Sequence, residues 1–303
     1  MQHLVGLREL DAPQIRRLLD RAVELRARVK AEGAVDLLRG KNIGLVFLEP
    51  STRTRFSFEM AARKLGADVL AMSAEGSSTS KGETLWDTAK TLRAHGADAF
   101  VLRHKYVGSP HQLARRVDVP VINAGDGINE HPTQALLDAL TLQDHFGDLK
   151  GRTVAIVGDL RHSRVTRSNC FALPRLGVRV ILAGPGTLCP DSMSSLGVEV
   201  RHSIDEVLED ADAVMMLRIQ RERMAPGMLP SDDEYAQIYG LDMARLKRLR
   251  PGTLVMHPGP MNRGLEIASE VADSTSSVIF EQKANGVAVR MAVLAELLRP
   301  EAT

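Results

Sequence analysis

The sequence predicts an α/β protein made of two doubly wound parallel-sheet lobes, with the active site in the cleft between them. Three observations lead there. Short apolar runs alternate with stretches of helical apolar spacing along most of the chain. Polar clusters follow the apolar runs, and in open α/β sheets ligands bind at the carboxyl ends of the strands. The 303 residues are long for one core and suit two domains of about 150 residues each.

Taken in order, Asp11 opens a helical stripe over 11–30, with Ile15, Leu18, Leu19, Ala22, Leu25 and Val29 on one face. Strands are expected at 43–48, 69–72, 99–102 and 119–123. Helices are expected at 52–65, 83–94, 110–117 and 131–145, with a polar loop over 73–82. A second series follows Gly147-Asp148. Its strands fall at 153–157, 178–183, 198–200, 213–217 and 252–256, and its helices at 163–176 and 203–208. A long helical stripe over 278–298 closes the chain. Residues 222–239 carry two prolines, acidic residues and little periodicity, and read as a loop.

Composition removes several function classes. Lys+Arg 39 against Asp+Glu 38 gives a net charge of +1, so no bulk field favours nucleic acid or an acidic membrane. The two cysteines, Cys170 and Cys189, lack metal-ligand spacing and cannot form a disulfide framework. No apolar stretch approaches membrane length and the N-terminus lacks a signal pattern, so a cytoplasmic location is expected. Anion binding must come from local clusters.

The densest cluster is Glu49-Pro50-Ser51-Thr52-Arg53-Thr54-Arg55, where a strand hands over to a helix. A helix N-terminus presents unpaired N–H groups and the positive end of the macrodipole. Ser51 can cap it, and the hydroxyls can also donate to an anion. Arg53 and Arg55 add planar forks suited to phosphate or carboxylate. Capping explains Ser51 but not two arginines in the same turn, which points to a phosphate cradle.

Other strand ends carry their own groups. Arg103-His104-Lys105 follows one strand; Asn129-Glu130-His131-Pro132-Thr133-Gln134 opens a helix after another. Pro132 suits the first helical position, placing His131 before it and Gln134 one turn inward. Gly158-Asp159-Leu160-Arg161-His162-Ser163-Arg164 has one glycine where a dinucleotide fingerprint wants three. Arg218-Ile219-Gln220-Arg221-Glu222-Arg223 is again basic. His257-Pro258-Gly259-Pro260 offers carbonyl oxygens that an amine could meet. Ser77-Ser78-Thr79-Ser80-Lys81 is a polar loop with one cation, and reads from composition as a linker. No carboxylate pair, metal set or activated Ser or Cys stands out. The cations and hydroxyls suit the positioning of two anionic substrates, with transfer of an activated acyl group from phosphate to an amine.

Ser51-Thr52-Arg53-Thr54-Arg55 and His131-Pro132-Thr133-Gln134 resemble the two carbamoyl-phosphate signatures of the aspartate/ornithine carbamoyltransferase family, and the resemblance spans nearly the whole chain. It implies a carbamoyl-phosphate-binding domain over 1–134 plus 286–303 and an aspartate-binding domain over 135–285. It implies that Ser51, Thr52, Arg53 and Thr54 hold the phosphate. Thr54, Arg103 and His131 would polarise the carbamoyl carbonyl, and Gln134 would bind the carbamoyl amino group. Lys81 matches a lysine supplied by the neighbouring subunit of a homotrimer with shared active sites, with Ser77 or Ser80 beside it. Arg164, Arg218 and Gln220 match positions that bind L-aspartate, which Lys81 also contacts, and Pro258 and Gly259 lend backbone carbonyls. Glu49 would pair with Arg164 and Arg223 on domain closure. The Ser-Met-Gly segment and the cysteine of the ornithine enzymes are missing. Some relatives carry Leu where Gly259 stands, a minor departure if carbonyls do the work. The implied reaction, an early step of de novo pyrimidine biosynthesis, uses carbamoyl phosphate and L-aspartate and needs no cofactor or metal. A regulatory chain or a dihydroorotase-like enzyme is the class of protein partner it admits.

Overall fold

The computed structural model describes residues 1–73, 83–229 and 231–298. Ser77, Ser80 and Lys81 lie outside the described residues. The chain divides into two units, Met1–Leu136 with Asn285–Thr303, and Leu137–Ala284.

In the first unit, α1 (Ala12–Glu32) starts at Asp11, whose carboxylate accepts from Gln14 N while the Gln14 side chain accepts from Asp11 N. That reciprocal pair satisfies two otherwise orphaned donors. The buried stripe is Ile15, Leu18, Leu19, Ala22 and Leu25, the face expected from the sequence. Then β1 (Asn42–Phe47), α2 (Thr52–Lys64), β2 (Asp68–Ser73), α3 (Leu85–Ala94), β3 (Ala99–His104), α4 (Ser109–Ala114) and β4 (Val121–Asp126) alternate. All pairings are parallel, in the order β2-β1-β3-β4. Parallel strands bury both faces, which is why β1 and β3 read as unbroken apolar runs. β4 begins later than the run at 119–123 suggests and continues through Asp126, with an irregular register opposite Leu102 and His104.

Helix α5 (Pro132–Phe146) leads into the second unit, with Pro132 at its first position. There β5 (Thr153–Val157), α6 (Arg164–Ala172), β6 (Arg179–Ala183), β7 (Glu199–Arg201) and β8 (Ala213–Met216) follow. Next come α7 (Asp232–Tyr239), α8 (Met243–Leu246), β9 (Leu254–Met256) and α9 (Ser269–Ala272), and α10 (Ile279–Leu298) begins in this unit and ends in the first. The sheet is parallel, ordered β7-β6-β5-β8-β9.

Three expectations need correction. The helix expected over 163–176 ends at Ala172 and gives way to a single 3-10 turn, Pro174–Leu176, because proline cannot donate into the ladder. Residues 203–208 form turns, not a helix: the Ser203 hydroxyl takes the N–H of Asp205, a local bond that competes with helix formation. Residues 222–239 are not a loop throughout. Ser231 caps α7, Asp232, Asp233 and Glu234 complement its positive end, and Tyr235 is buried against Leu188 and Ile219. With a single buried residue on α7, no apolar period was there to be read.

Candidate active site

Because both sheets are parallel, the segments that follow the strands emerge on one edge of each. In the first unit, β1, β3 and β4 are consecutive neighbours, so the turns after Phe47, His104 and Asp126 lie side by side.

Ser51 holds the N-cap position of α2 in an extended conformation, yet its side chain makes no capping bond. Its identity is therefore not explained by capping, and it stands at the helix start, where the macrodipole favours an anion. Thr52 and Arg53 are exposed and Thr54 is buried on the first turn. Arg55 lies over the ring of its neighbour Phe56, 5.5 Å from the centroid.

Arg103, one residue before the end of β3, is only 8% exposed. Its Nη1 donates to Ala124 O at 3.1 Å and its Nη2 to Glu49 Oε1 at 2.9 Å. One guanidinium thus ties the end of β1 to the end of β4. Its fork is planar and rigid, so two fixed bonds set the direction of the remaining N–H groups. Glu49, for which the family resemblance implies Arg164 and Arg223 as partners, here pairs with Arg103.

The segment before α5 is held by Asp126, which is fully buried. Its carboxylate accepts from Gly108 N, Asn123 Nδ2, Asn129 Nδ2 and Glu130 N. Glu130 in turn accepts from Leu7 N, and a side chain at Gly6 would come within 2.5 Å of Glu130 Oε1. His131 follows directly, 4% exposed, and its carbonyl accepts from Gln134 N to start the helix. His131 and Gln134 are therefore set by a rigid carboxylate hub. Sequence reasoning missed Asp126; its signal was an acid between two glycines at a strand end, facing Asn129 three residues on. Nearby, His104 Nδ1 receives Tyr106 N at 3.0 Å. Burial, with Lys105 beside it, pushes that imidazole below its ordinary pKa.

In the second unit the corresponding edge carries the turns after β5, β8 and β9. Gly158 has φ 131°, and a Cβ there would lie 2.6 Å from Leu217 O, so only glycine lets these strand ends approach. Asp159, fully buried, accepts from His162 Nδ1 at 2.9 Å and from Gln220 N at 3.3 Å. Burial raises its pKa, against the pull of His162. Arg223 Nη1 donates to His162 O at 3.2 Å. Asp159 and Arg223 thereby link the turn that carries Arg164 to the one that carries Arg218 and Gln220. Ser163 caps α6, and Arg164 at its first position is 8% exposed.

Arg218 donates through both Nη atoms to the two carboxylate oxygens of Glu222. Burial alone would lift the Glu222 carboxyl, but the Arg218 bond and the Arg223 charge outweigh it and hold its pKa below the ordinary value. A guanidinium that grips one carboxylate in fork geometry is built to grip another. Glu222 was also missed, although its place four residues after Arg218 was legible. After β9, Gly259 has φ 72°, in the left-handed region that favours glycine. The departure at this position therefore has a backbone reason.

Among the described residues no group of three His, Cys, Asp or Glu side chains is arranged to hold a metal ion, and no helix is long and apolar enough to cross a membrane.

Residues 2–144 match the family model for the aspartate/ornithine carbamoyltransferase carbamoyl-P binding domain, and residues 150–297 match the Asp/Orn binding domain. The aspartate carbamoyltransferase catalytic subunit of Desulforudis audaxviator is 53% identical over 295 residues, covering 97% of this chain and 96% of that protein. That of Gluconobacter oxydans is 55% identical over 300 residues, covering 98% and 96%. Among solved structures, aspartate transcarbamoylase from Trypanosoma cruzi in complex with N-(phosphonacetyl)-L-aspartic acid matches with a TM-score of 0.89 at 32% identity, covering 98% and 96%. Ornithine carbamoyltransferase from Pyrococcus furiosus matches with a TM-score of 0.87 at 30% identity, covering 98% and 97%.

Proposed function

The chain belongs to the aspartate/ornithine carbamoyltransferase family, and from that premise we propose that it transfers the carbamoyl group of carbamoyl phosphate to the α-amino group of L-aspartate. The products are N-carbamoyl-L-aspartate and phosphate, in an early step of de novo pyrimidine biosynthesis. The observation that carries the choice of aspartate is the second edge: Arg218 already holds a carboxylate in fork geometry, and Arg164 is buried on the adjoining turn. Ornithine would bring an ammonium group to that edge, which two guanidiniums repel. The relatives of 53% and 55% identity bear the aspartate enzyme's name.

In this reading Ser51, Thr52, Arg53 and Thr54 hold the phosphate at the α2 N-terminus. Thr54, Arg103 and His131 donate to the carbamoyl oxygen, where negative charge develops as the amine attacks. Gln134 takes the carbamoyl amino group. The amine nitrogen forms the new C–N bond, the C–O bond to phosphate breaks, and the proton the amine sheds goes to the departing phosphate. Phosphate leaves as a dianion neutralised by Arg53 and the helix dipole. Pro258 and Gly259 carbonyls accept from the attacking amine, and Arg164, Arg218 and Gln220 bind the aspartate carboxylates. Lys81, with Ser77 or Ser80, serves the site of a neighbouring subunit in a cytoplasmic homotrimer, which a regulatory chain or a dihydroorotase-like enzyme can join.

The test is direct. The protein is incubated with carbamoyl phosphate and either L-aspartate or L-ornithine, and carbamoylated product and phosphate are quantified. Equimolar carbamoyl-aspartate and phosphate are expected; citrulline formation in their place would overturn the assignment. For subunit sharing, mixed trimers of Lys81→Ala and Arg53→Ala chains are expected to regain activity that neither variant has alone. No recovery in verified mixtures rejects sharing.

A further inference from the structure

The turn Pro258-Gly259-Pro260 contains one backbone donor, because neither proline has an N–H. That donor, Gly259 N, points at His257 Nδ1 at 2.8 Å. His257 itself is fully buried at the end of β9. On the other side of its ring, Nε2 lies 3.2 Å from Oε1 of Glu266, which is also fully buried. The same Oε1 accepts from Asn262 N. The imidazole therefore spans the loop that follows β9, meeting Gly259 at one end and Glu266 at the other.

This geometry fixes a protonation state. A backbone N–H can only donate, so Nδ1 must offer its lone pair. The ring proton then belongs to Nε2, where the Glu266 carboxyl oxygen accepts it. Protonation of Nδ1 would set two donors face to face.

It also fixes a carbonyl. The Pro258–Gly259 peptide is trans; among the described residues the cis bond is Gly259-Pro260. In a trans peptide the C=O and N–H point in opposite directions. Anchoring Gly259 N–H on the buried ring turns the Pro258 carbonyl away from the interior. The strand end beneath is locked as well: His257 N donates to Gln282 Oε1, Gln282 Nε2 to Asp138 Oδ1, and Asn169 Nδ2 to Asp138 Oδ2.

We infer that His257, as its neutral Nε2–H tautomer, is a positioning residue that holds Gly259 N–H and so aims the Pro258 carbonyl at the aspartate amine. The inference rests on the proposed function for the identity of the amine, and on geometry alone for the lock.

Two isosteric variants of the full-length enzyme separate positioning from folding. In His257→Asn the amide oxygen stands near the place of Nδ1 and still accepts from Gly259. In His257→Gln the amide reaches the place of Nε2 and leaves Gly259 N–H without its acceptor. His257→Gln is expected to raise the aspartate KM by about tenfold or more, the loss of one buried hydrogen bond, with the carbamoyl phosphate KM unchanged. His257→Asn should stay much closer to wild type. Equal effects of the two variants, or no effect of either, overturn the positioning role. Neutron diffraction from crystals of the wild-type protein reads the lock without any variant: deuterium on Nε2 and none on Nδ1 is expected, and deuterium on Nδ1 overturns it. If wild type forms no carbamoyl-aspartate, the proposed function fails while the neutron result still decides the lock.

Discussion

Arg103 and Arg218 both grip a carboxylate, and they do so in opposite ways. Arg103 is buried, held by Glu49 from β1 and by the carbonyl of Ala124 from β4. Its partners come from distant parts of the sequence, so its direction is set by the whole sheet. Arg218 is partly exposed and its partner, Glu222, lies on the same turn. A buried arginine with two fixed bonds has a set direction, which is what stabilising developing charge without reorganisation requires. A surface pair with a neighbour four residues on is held weakly and can exchange one carboxylate for another. In the proposed reaction the first edge would serve the transition state and the second recognition.

The sharpest way to break this contrast is Arg53→Ala. It removes the exposed cation of the phosphate turn, and turnover is expected to fall by about 10²–10³-fold; near-normal rates in a carbamoyl-aspartate assay would remove the phosphate cradle from the mechanism. Next comes Arg103→Ala. Leaving the part-buried Glu49 without this partner should cost roughly 3 kcal/mol in urea unfolding, together with about a hundredfold drop in kcat. A stable, active variant would show that Arg103 is not preorganised for catalysis.

Arg218→Ala should act on recognition alone, raising the aspartate KM by about 10–100-fold, the loss of a charge-assisted bond. Carbamoyl phosphate binding should not move. Unchanged aspartate saturation would mean that the second substrate binds elsewhere. The smallest effect is that of Glu222→Gln on stability. The folded pKa of Glu222 is lowered, so the pair stabilises the fold above the ordinary carboxyl value of 4.5 and loses that contribution as pH falls through the folded value. Screened at the surface, the difference from wild type should stay below about 0.5 kcal/mol at pH 7 and vanish at more acidic pH. A larger gap, or one that grows on acidification, would put Arg218 in the same class as Arg103.

Much of the first edge was legible before any coordinates. The turn after β1 announces itself through residues that sit next to one another, and Pro132 marks the start of α5 by local chemistry. Ser51 reads as a cap that could also donate to an anion, and its side chain makes no capping bond. The hubs were not legible. Asp126 gathers Gly108 and Asn123 across two strand ends, and Asp159 gathers His162 on its own turn and Gln220, 61 residues away. Asn129 and His162, each three residues on, are local partners, but nothing near either acid names the distant one, Gly108 or Gln220. His257 reads only as part of a turn that offers carbonyl oxygens, because Glu266, nine residues on, carries no pattern that links them.

The sequence by itself determined the alternation of strands and helices, because apolar period and turn chemistry are properties of a few consecutive residues. It also marked the candidate phosphate turn, since a helix start, three hydroxyls and two arginines lie within one short stretch. Only the tertiary structure decided which groups are locked and which are exchangeable. That distinction depends on burial and on partners brought together by strand pairing, and such long-range contacts leave no local trace in the chain.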